Sequence, residues 1–329
     1  MISSLYAALA RRRRERYSAR PDLRKRLRHP VISIGNLAVG GRGKTPIAAC
    51  VARMLMEMGE RPAVLSRGYA RQEPDDGVVV VRDPEGIRAD LPRAGDEPLM
   101  LARQLPGASV LVCEDRYLAG TLAEQHLGAT VHVLDDGLQH LQLDRDVEIV
   151  LVGPEDVARP ETLPAGRLRE PLDTLVVADA ILAPDEVILD LRGVEIPIFR
   201  TRRFLGDPIA EDEAIPPGPV LAVAGIARPE AFFESLRTNG RQVAHTLAFP
   251  DHHAYSRRDL QRIVEAARGS SATVVLTTEK DYVRLLPLRP FSLPVGFVPL
   301  TMEPAPIDEF RAWLAESLNA ARDGVNPGD

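Results

Sequence analysis

Lysine is nearly absent from this 329-residue chain: Lys25, Lys44 and Lys280 are three of 41 basic side chains, and arginine supplies the rest. Where either cation would serve, arginine has been taken, so the surviving lysines mark positions that call for a compact ammonium. Cysteine is just as sparse. Cys50 and Cys113 lie inside the apolar stretches AACVARML and SVLVCE, which excludes a disulfide framework or a cysteine metal cluster and reads as two reduced, buried thiols of a cytoplasmic protein. No run reaches the roughly 18 to 20 apolar residues that a membrane-spanning helix needs. The opening MISSLYAALARRRR puts its short apolar run ahead of its charges, the reverse of a secretory signal, and leaves an Arg-rich transit segment as the plain competitor. Disorder and collagen-like composition are also excluded, because 45% of residues are apolar and 27% charged, enough for one large or two medium globular cores.

The net charge of −6 averages two unlike parts. Residues 1–30 hold ten Arg or Lys and two acids, +8, so residues 31–329 carry 31 minus 45, or −14. From Val31 onward short β-branched runs alternate with helical patterns, the mark of an α/β fold with a parallel sheet flanked by helices. VISIG, PAVLS, SVLVCE, TVHVLDD and VEIVLVG read as buried strands. Ile47, Val51, Met54, Leu55 and Met58 form one apolar helical face, and Gly95 to Gln104 and Asp115 to Leu127 predict further helices. The acidic, Pro-rich run FLGDPIAEDEAIPPGP separates these from a second series of strand and helix patterns ending in FVPLTM and IDEFRAWLAESLNAAR. The expected division is residues 1–29 as a basic amphipathic helix, 30–203 as a P-loop domain, 204–218 as a linker and 219–329 as a smaller α/β domain, its last helix free to pack on either.

Between the strand VISIGN and the amphipathic helix lies Ala38-Val39-Gly40-Gly41-Arg42-Gly43-Lys44-Thr45. It matches the phosphate-binding pattern G-x-x-x-x-G-K-[ST] except that Ala38 replaces the first glycine. The glycines let backbone N–H groups turn toward phosphate oxygens, and the helix N-terminus adds partial positive charge. Lys44 is placed to reach the β and γ phosphates of a nucleotide and Thr45 to bind Mg²⁺. Asp135 and Asp136, closing the apolar strand VHVLDD, supply the second acidic partner such a loop needs, although alone they would read as a solvated turn.

A GTPase should add D-x-x-G and N-K-x-D or T-K-x-D. Asp83-Pro-Glu-Gly86 fits the first by letter alone, and in Thr278-Glu-Lys280-Asp281 the lysine directly precedes the aspartate, so the spacing fails. ATP is the expected nucleotide. Asp96 and Glu97 precede a helical pattern and read either as N-terminal helix charges or as a carboxylate placed to take a proton from a hydroxyl, worth about 10² to 10⁴ in rate. Gln139 and His140 follow the Asp pair, Arg169 and Glu170 follow a Pro and Gly turn, and Phe249-Pro-Asp251-His252-His253 lies in the second domain. The two histidines lack a third metal ligand at turn or helix spacing.

The set GNLAVGGRGKTP, LSRGYAR, AGDEPLMLA, VLDDGLQH, LPAGRLREP, FPDHHAY and LTTEKDYV, in order from residue 34 to 283, resembles the tetraacyldisaccharide 4'-kinase family of Gram-negative bacteria. Two departures, Leu138 for a usual Phe and Ala70 for a usual Gly, carry no chemistry. The resemblance implies two α/β/α sandwich domains, the first of P-loop NTPase type, and ATP- and Mg²⁺-dependent phosphorylation of the 4'-hydroxyl of an acylated glucosamine disaccharide 1-phosphate at the cytoplasmic face of the inner membrane. It implies Asp96 as general base coupled to His252, Lys44 and Thr45 serving phosphates and Mg²⁺, and Asp135, Asp136 and Glu170 in the metal set. Glu97, Gln139, His140 and Arg169 become further polar site residues. Competing readings are a P-loop ATPase gated by a partner protein and a kinase of a soluble sugar; Asp96 with His252 argues against the first and the basic apolar leader against the second. For Lys280 the sequence leaves two roles open, pairing with an acid across the cleft or ordering its own loop.

In the leader, Ile2, Leu5, Tyr6 and Leu9 form an apolar stripe too short to span a bilayer but able to lie in its interface. Arg11 to Arg14, Arg16 and the Arg24–Arg28 cluster would then face anionic lipid headgroups. Nucleic acid is the lesser expectation, since no aromatics interleave and no nucleic-acid motif is present, and no obligate protein partner is implied.

Overall fold

The computed structural model describes residues 2–68, 71–73, 77–189, 195–211 and 214–324. Tyr69 and Ala70 of the LSRGYAR block, and Asp212 and Glu213 of the expected linker, lie outside the described residues. The strands are β1 Val31–Asn36, β2 Pro62–Ser66, β3 Val79–Asp83, β4 Gly86–Ile87, β5 Ser109–Val112, β6 Val131–Asp135, β7 Val147–Leu151, β8 Ala180–Ala183, β9 Ile198–Leu205, β10 Val220–Ala224, β11 Val243–Ala248, β12 Val274–Thr278, β13 Val295–Val298 and β14 Leu300–Ala305. The helices are α1 Ile2–Ala19, α2 Lys44–Glu57, α3 Leu91–Ala94, α4 Asp96–Gln104, α5 Arg116–His126, α6 Pro154–Ala158, α7 Pro229–Thr238, α8 Arg257–Gly269, α9 Glu279–Leu285 and α10 Ile307–Asp323.

A 10-stranded sheet runs β14-β9-β8-β7-β1-β6-β2-β5-β3-β4, and a 4-stranded sheet runs β11-β10-β12-β13. From β9 through β5 every neighbouring pair is parallel, as is the whole smaller sheet. Parallel strands must be covered on both faces, which is why β1, β2, β5, β6 and β7 are mostly apolar and buried throughout. One face packs on α2, α4 and α10 through residues such as Ile47, Val51, Leu101, Phe310 and Leu314. On the other, Leu65, Leu111 and Leu134 meet Ala119 and Ala123 of α5.

The second unit ends earlier than expected. FVPLTM is two strands broken at Pro299: β13 closes the smaller sheet, whereas β14 pairs antiparallel with β9 at the edge of the large one. Proline cannot donate a ladder hydrogen bond, so the chain changes sheet there. Helix α10 follows β14 back and buries Phe310 against Phe199 and Trp313. Residues 300–323 therefore belong with the large sheet. The Asp83–Gly86 match to a GTPase motif is a hairpin turn, in which the Asp83 carboxylate accepts from the amides of Glu85 and Gly86.

The order β7-β1-β6-β2 sets β6 between β1 and β2, so the loops after β1 and β6 open side by side at the carboxyl edge of the sheet. Ligands of open parallel sheets bind at such an edge.

Candidate active site

Residues 38–45 join β1 to α2. Gly43 is the N-cap of α2 with φ 87°, a left-handed conformation natural to glycine, and a Cβ there would run into the Met302 side chain of β14. Ala38 is buried and bridges to Leu168, so the missing first glycine is not needed for a turn at that position. The amide of Val39 donates to the carbonyl of Arg167 at 2.8 Å, and the Arg167 guanidinium returns to the Val39 carbonyl at 2.9 Å. Gly40 adopts φ 98° beside that guanidinium, and Gly41 stands in open space. Arg42 turns away to Asp156 at 2.6 Å and Glu155 at 3.1 Å. The segment LPAGRLREP thus fixes the phosphate loop from outside.

Lys44 Nζ donates to Asn36 Oδ1 at 2.9 Å and stands 3.5 Å from Asp136 Oδ1. Arg169 holds both oxygens of Asp136, at 2.7 and 3.0 Å, and also reaches Asn36 Oδ1 at 2.6 Å. Asp136 sits at φ 60°, a strained position that aspartate tolerates better than most residues. Burial favours its protonated form, but Arg169 and Lys44 outweigh that and hold it below the usual carboxylate range.

Asp135 is the opposite case. It is fully buried, its one hydrogen-bond partner is the Thr45 hydroxyl at 3.1 and 3.4 Å, and burial followed by the charges of Glu97 and Asp136 pushes it up to about 7. A buried carboxylate beside a hydroxyl and more acids, at the mouth of a phosphate loop, suits a hard divalent cation. Among the described residues no group of three or more His, Cys, Asp or Glu is arranged as a cage.

The second cluster joins the two sheets. Asp96 opens α4, and its Oδ2 accepts from His252 Nδ1 at 3.0 Å and from Arg284 Nε at 2.8 Å, with Arg284 Nη2 closer still; Oδ1 accepts from the Glu97 amide at 2.8 Å. Lys280 Nζ donates to Glu97 Oε1 at 2.9 Å and to His252 Nε2 at 3.2 Å. Since lysine only donates, His252 Nε2 accepts and Nδ1 carries the proton given to Asp96. His252 takes φ 57° in the loop after β11, which turns its ring toward the large sheet. Burial pushes the Asp96 carboxyl up, but the His252 hydrogen bond and the Lys280 and Arg284 charges prevail and hold it well below the usual range.

Lys280 therefore pairs with an acid across the cleft. Arg284 was not singled out in the sequence, yet it lies four residues after Lys280 on α9, the spacing that puts two side chains on one helix face. It is held by Asp281, which also accepts from the Gly225 amide and the Tyr255 hydroxyl. Asn36 was missed as well; nothing in VISIGN distinguishes it from a strand-ending turn residue.

Glu170, expected in the metal set, is engaged by Arg14 and Gln139 in this structure. Both its oxygens are taken by Arg14 of α1, at 2.7 and 2.9 Å, and Oε1 also accepts from Gln139 at 3.2 Å. Gln139 donates further to the Asn36 carbonyl at 3.1 Å, so the pair braces β1 against α1. His140 is largely buried, and burial, then the charge of Arg116, pushes its imidazole down to about 4, leaving it neutral.

The family model for tetraacyldisaccharide-1-P 4'-kinase matches residues 1–319. The tetraacyldisaccharide 4'-kinase of Pelobacter propionicus is 42% identical over 302 residues, covering 88% of this chain and 82% of the relative, and that of Geobacter metallireducens is 40% identical over 306 residues, covering 88% of each. Among solved structures, the "apo" form of LpxK from Aquifex aeolicus in complex with ATP matches with a TM-score of 0.81 and 30% identity over 96% of this chain and 97% of that one.

Proposed function

The chain belongs to the tetraacyldisaccharide-1-P 4'-kinase family, and from that premise we propose that it transfers the γ-phosphoryl group of ATP to the 4'-hydroxyl of a tetraacyldisaccharide 1-phosphate through the residues gathered between Lys44 and His252. The observation that carries this reading is the meeting of Asp96, from the large sheet, with His252, from the small one. A carboxylate oriented by a histidine of the other sheet suits taking the proton of an acceptor hydroxyl.

In a loose phosphoryl-transfer transition state there is little covalent work for a protein, so catalysis is placement and charge balance. The acceptor oxygen forms a bond to the γ-phosphorus as the bond to the β,γ-bridging oxygen breaks and ADP departs. Asp96 Oδ1, which takes a single amide bond, has a lone pair left for the acceptor hydroxyl and receives its proton. His252, donating to Oδ2, orients the carboxylate. Lys44, poised between Asn36 and Asp136, compensates charge on the transferring group. Asp135 and Thr45 would hold a magnesium ion, which would supply further neutralisation of phosphate charge. With γ-labelled ATP and magnesium, label is expected on the acylated disaccharide 1-phosphate and not on soluble glucosamine. Label recovered only as free phosphate, or only on the soluble sugar, removes this reading.

Residues 1–29 serve in this reading as a peripheral anchor at the cytoplasmic face of the inner membrane. Support comes from how α1 divides its faces. Its Ser3, Ala7 and Arg14 side turns to the body, where the Ser3 carbonyl accepts from Thr162 and Arg14 pairs with Glu170. Ile2, Leu5 and Leu9 are left 72%, 63% and 58% exposed, an apolar edge suited to a lipid interface. The basic cluster contributes less than its count suggests. Arg11 pairs with Asp173, Lys25 with Asp115, and Arg24 and Arg26 with Asp144, because the acidic body neutralises them before any headgroup can. Arg12, Arg16 and Arg28 remain exposed, each worth about 1 kcal/mol near anionic lipid. No described helix is long and apolar enough to cross a membrane. Leu5→Glu with Leu9→Glu is expected to weaken co-sedimentation with phosphatidylglycerol-containing vesicles by about tenfold or more, since two Leu side chains lose burial. Unchanged sedimentation would exclude this edge as the anchor.

A further inference from the structure

We propose that Arg14 of the leader helix α1 is a positioning residue for phosphoryl transfer, acting through Glu170 on the groups that hold Lys44 and Asp136. The proposal rests on the kinase reading above and gives α1 a task in the active site that is separate from anchoring.

In the run Arg11 to Arg14 the last is the one turned into the body. Its side chain is 12% exposed and that of Glu170 6%. Arg14 Nε donates to Glu170 Oε2 at 2.7 Å, and Nη2 donates both to Oε1 at 2.9 Å and to the Leu138 carbonyl at 3.0 Å. The other ties of α1 are weaker in kind. Arg11 and Asp173 meet with side chains 47% and 61% exposed, where an ion pair counts for little, and Ala7 is the buried residue of the helix. An amphipathic helix ordinarily docks by an apolar stripe. The firmest hold of α1 is instead a guanidinium fork on a buried carboxylate.

From that carboxylate hydrogen bonds run without a break to Lys44. Glu170 Oε1 accepts from Gln139 Nε2 at 3.2 Å, and the same Nε2 donates to the Asn36 carbonyl at 3.1 Å. Asn36 Oδ1 in turn accepts from Lys44 at 2.9 Å and from Arg169 at 2.6 Å, and Arg169 holds both oxygens of Asp136. Along this path Gln139 Oε1 and Asn36 Nδ2 are buried without partners. Leaving such atoms unpaired is unfavourable, so the two amides are held in this orientation by the charges at the ends of the path: Glu170 at one, Lys44 and Arg169 at the other.

Removing Arg14 leaves Glu170 buried without its counter-charge, which is strongly unfavourable. Another guanidinium is at hand, because Arg169 Nη2 and Gln139 Nε2 donate to the same Asn36 carbonyl. Drawn toward Glu170, Arg169 gives up Asp136 and Asn36, and Lys44 is then claimed by Asp136 and is less free for phosphate. Arg14 prevents this by satisfying Glu170 from outside. The helix it fixes turns Ile2, Leu5 and Leu9 away from the body, so one element carries the exposed apolar edge and orders the phosphate loop from its other side.

The test is a double-mutant cycle of Arg14→Met and Glu170→Gln on the full chain. It is read as kcat with γ-labelled ATP and the acylated disaccharide 1-phosphate and, without turnover, as the Kd of ATP with magnesium by calorimetry. Arg14→Met is expected to lower kcat about tenfold and to raise Kd about threefold. Arg14→Lys, which keeps the charge but not the fork, recovers part of both. Glu170→Gln removes the charge that Arg14 answers, so the double variant is expected to match Glu170→Gln alone in both readouts. Losses that multiply in the double variant would show that Arg14 does not act through Glu170 and overturn the proposal, as would wild-type constants in Arg14→Met. Co-sedimentation of Arg14→Met with phosphatidylglycerol-containing vesicles is expected to stay within about twofold of wild type, since a buried guanidinium faces no headgroup. A loss of turnover matched by a loss of sedimentation would return the effect to anchoring and refute the positioning role. If Arg14→Met fails to fold, Arg14→Lys carries the same cycle. Wild type that binds ATP but labels no acceptor fails the kinase reading alone, and the Kd cycle still decides on Arg14.

Discussion

Asp96→Asn is expected to lower kcat by about 10² to 10⁴-fold, the usual worth of a positioned general base, with ATP affinity within a few-fold of wild type. The substitution keeps the side-chain shape, and the contacts made by Lys44, Thr45 and Arg169 around the phosphate loop do not involve Asp96, so nucleotide binding has no reason to change. What is lost is a carboxylate oxygen able to accept the acceptor's proton. The low proton affinity of Asp96 does not argue against this role. In a loose transition state the hydroxyl proton leaves late, and an oriented carboxylate serves chiefly to align the nucleophile. His252→Ala should fall short of Asp96→Asn, because Arg284 and Lys280 still hold the carboxylate in place. Equal ATP affinity with unchanged kcat in Asp96→Asn, measured by single-turnover transfer, would remove Asp96 from the chemistry.

Arg284→Met is expected to cost about 3–5 kcal/mol of stability at neutral pH, the penalty for breaking a buried ion pair by removing one partner. Arg284 is surrounded by Asp96, Asp281 and the Gly225 carbonyl, so its loss leaves two buried carboxylates facing each other across the joint between the sheets. The pH dependence has a definite sign. Asp96 binds its proton less readily folded than unfolded, so its ion pairs contribute fully above the ordinary carboxylate range near pH 4. That contribution is lost as pH falls below it. Removing Arg284 weakens the depression, and the gap between wild type and variant should be widest near pH 7 and narrow below pH 4, as read from urea unfolding at both. The double variant Arg284→Met with Asp96→Asn should recover part of the loss, because one of the uncompensated charges is gone. A gap that widens on acidification would mean the carboxylate is not the group that matters.

Each part of the site was legible to a different degree. The phosphate loop could be read outright, because glycine spacing, a lysine and a threonine between a strand and a helix are all local requirements. Asp135 and Asp136 could be read as a pair but not told apart. Burial and then the charges of Glu97 and Asp136 push one up, while Arg169 and Lys44 hold the other down, and both environments are built from distant segments. The ion pair of Glu170 could not be read for the same reason: its partner Arg14 is 156 residues away, and no spacing rule connects them. Lys280 and Arg284 share a helix face, which the sequence displays, but that this face meets Asp96 follows only from how α9 packs on α4.

The charge imbalance divides along the same line. Sequence alone determined that a +8 leader precedes a −14 body and that apolar residues recur on one side of that leader, because charge and helical periodicity are properties of neighbours along the chain. The tertiary structure decided that Arg14, Arg24 and Arg26 are consumed by acids of the body while Ile2, Leu5 and Leu9 stay outside. It also decided that residues 300–323 return to the large sheet and that Asp96 and His252, carried by two different sheets, meet. Local pattern fixes which elements form. Burial and ion pairing between segments far apart in the chain fix which of their faces meet, and those energies depend on distances in space that the order of residues does not contain.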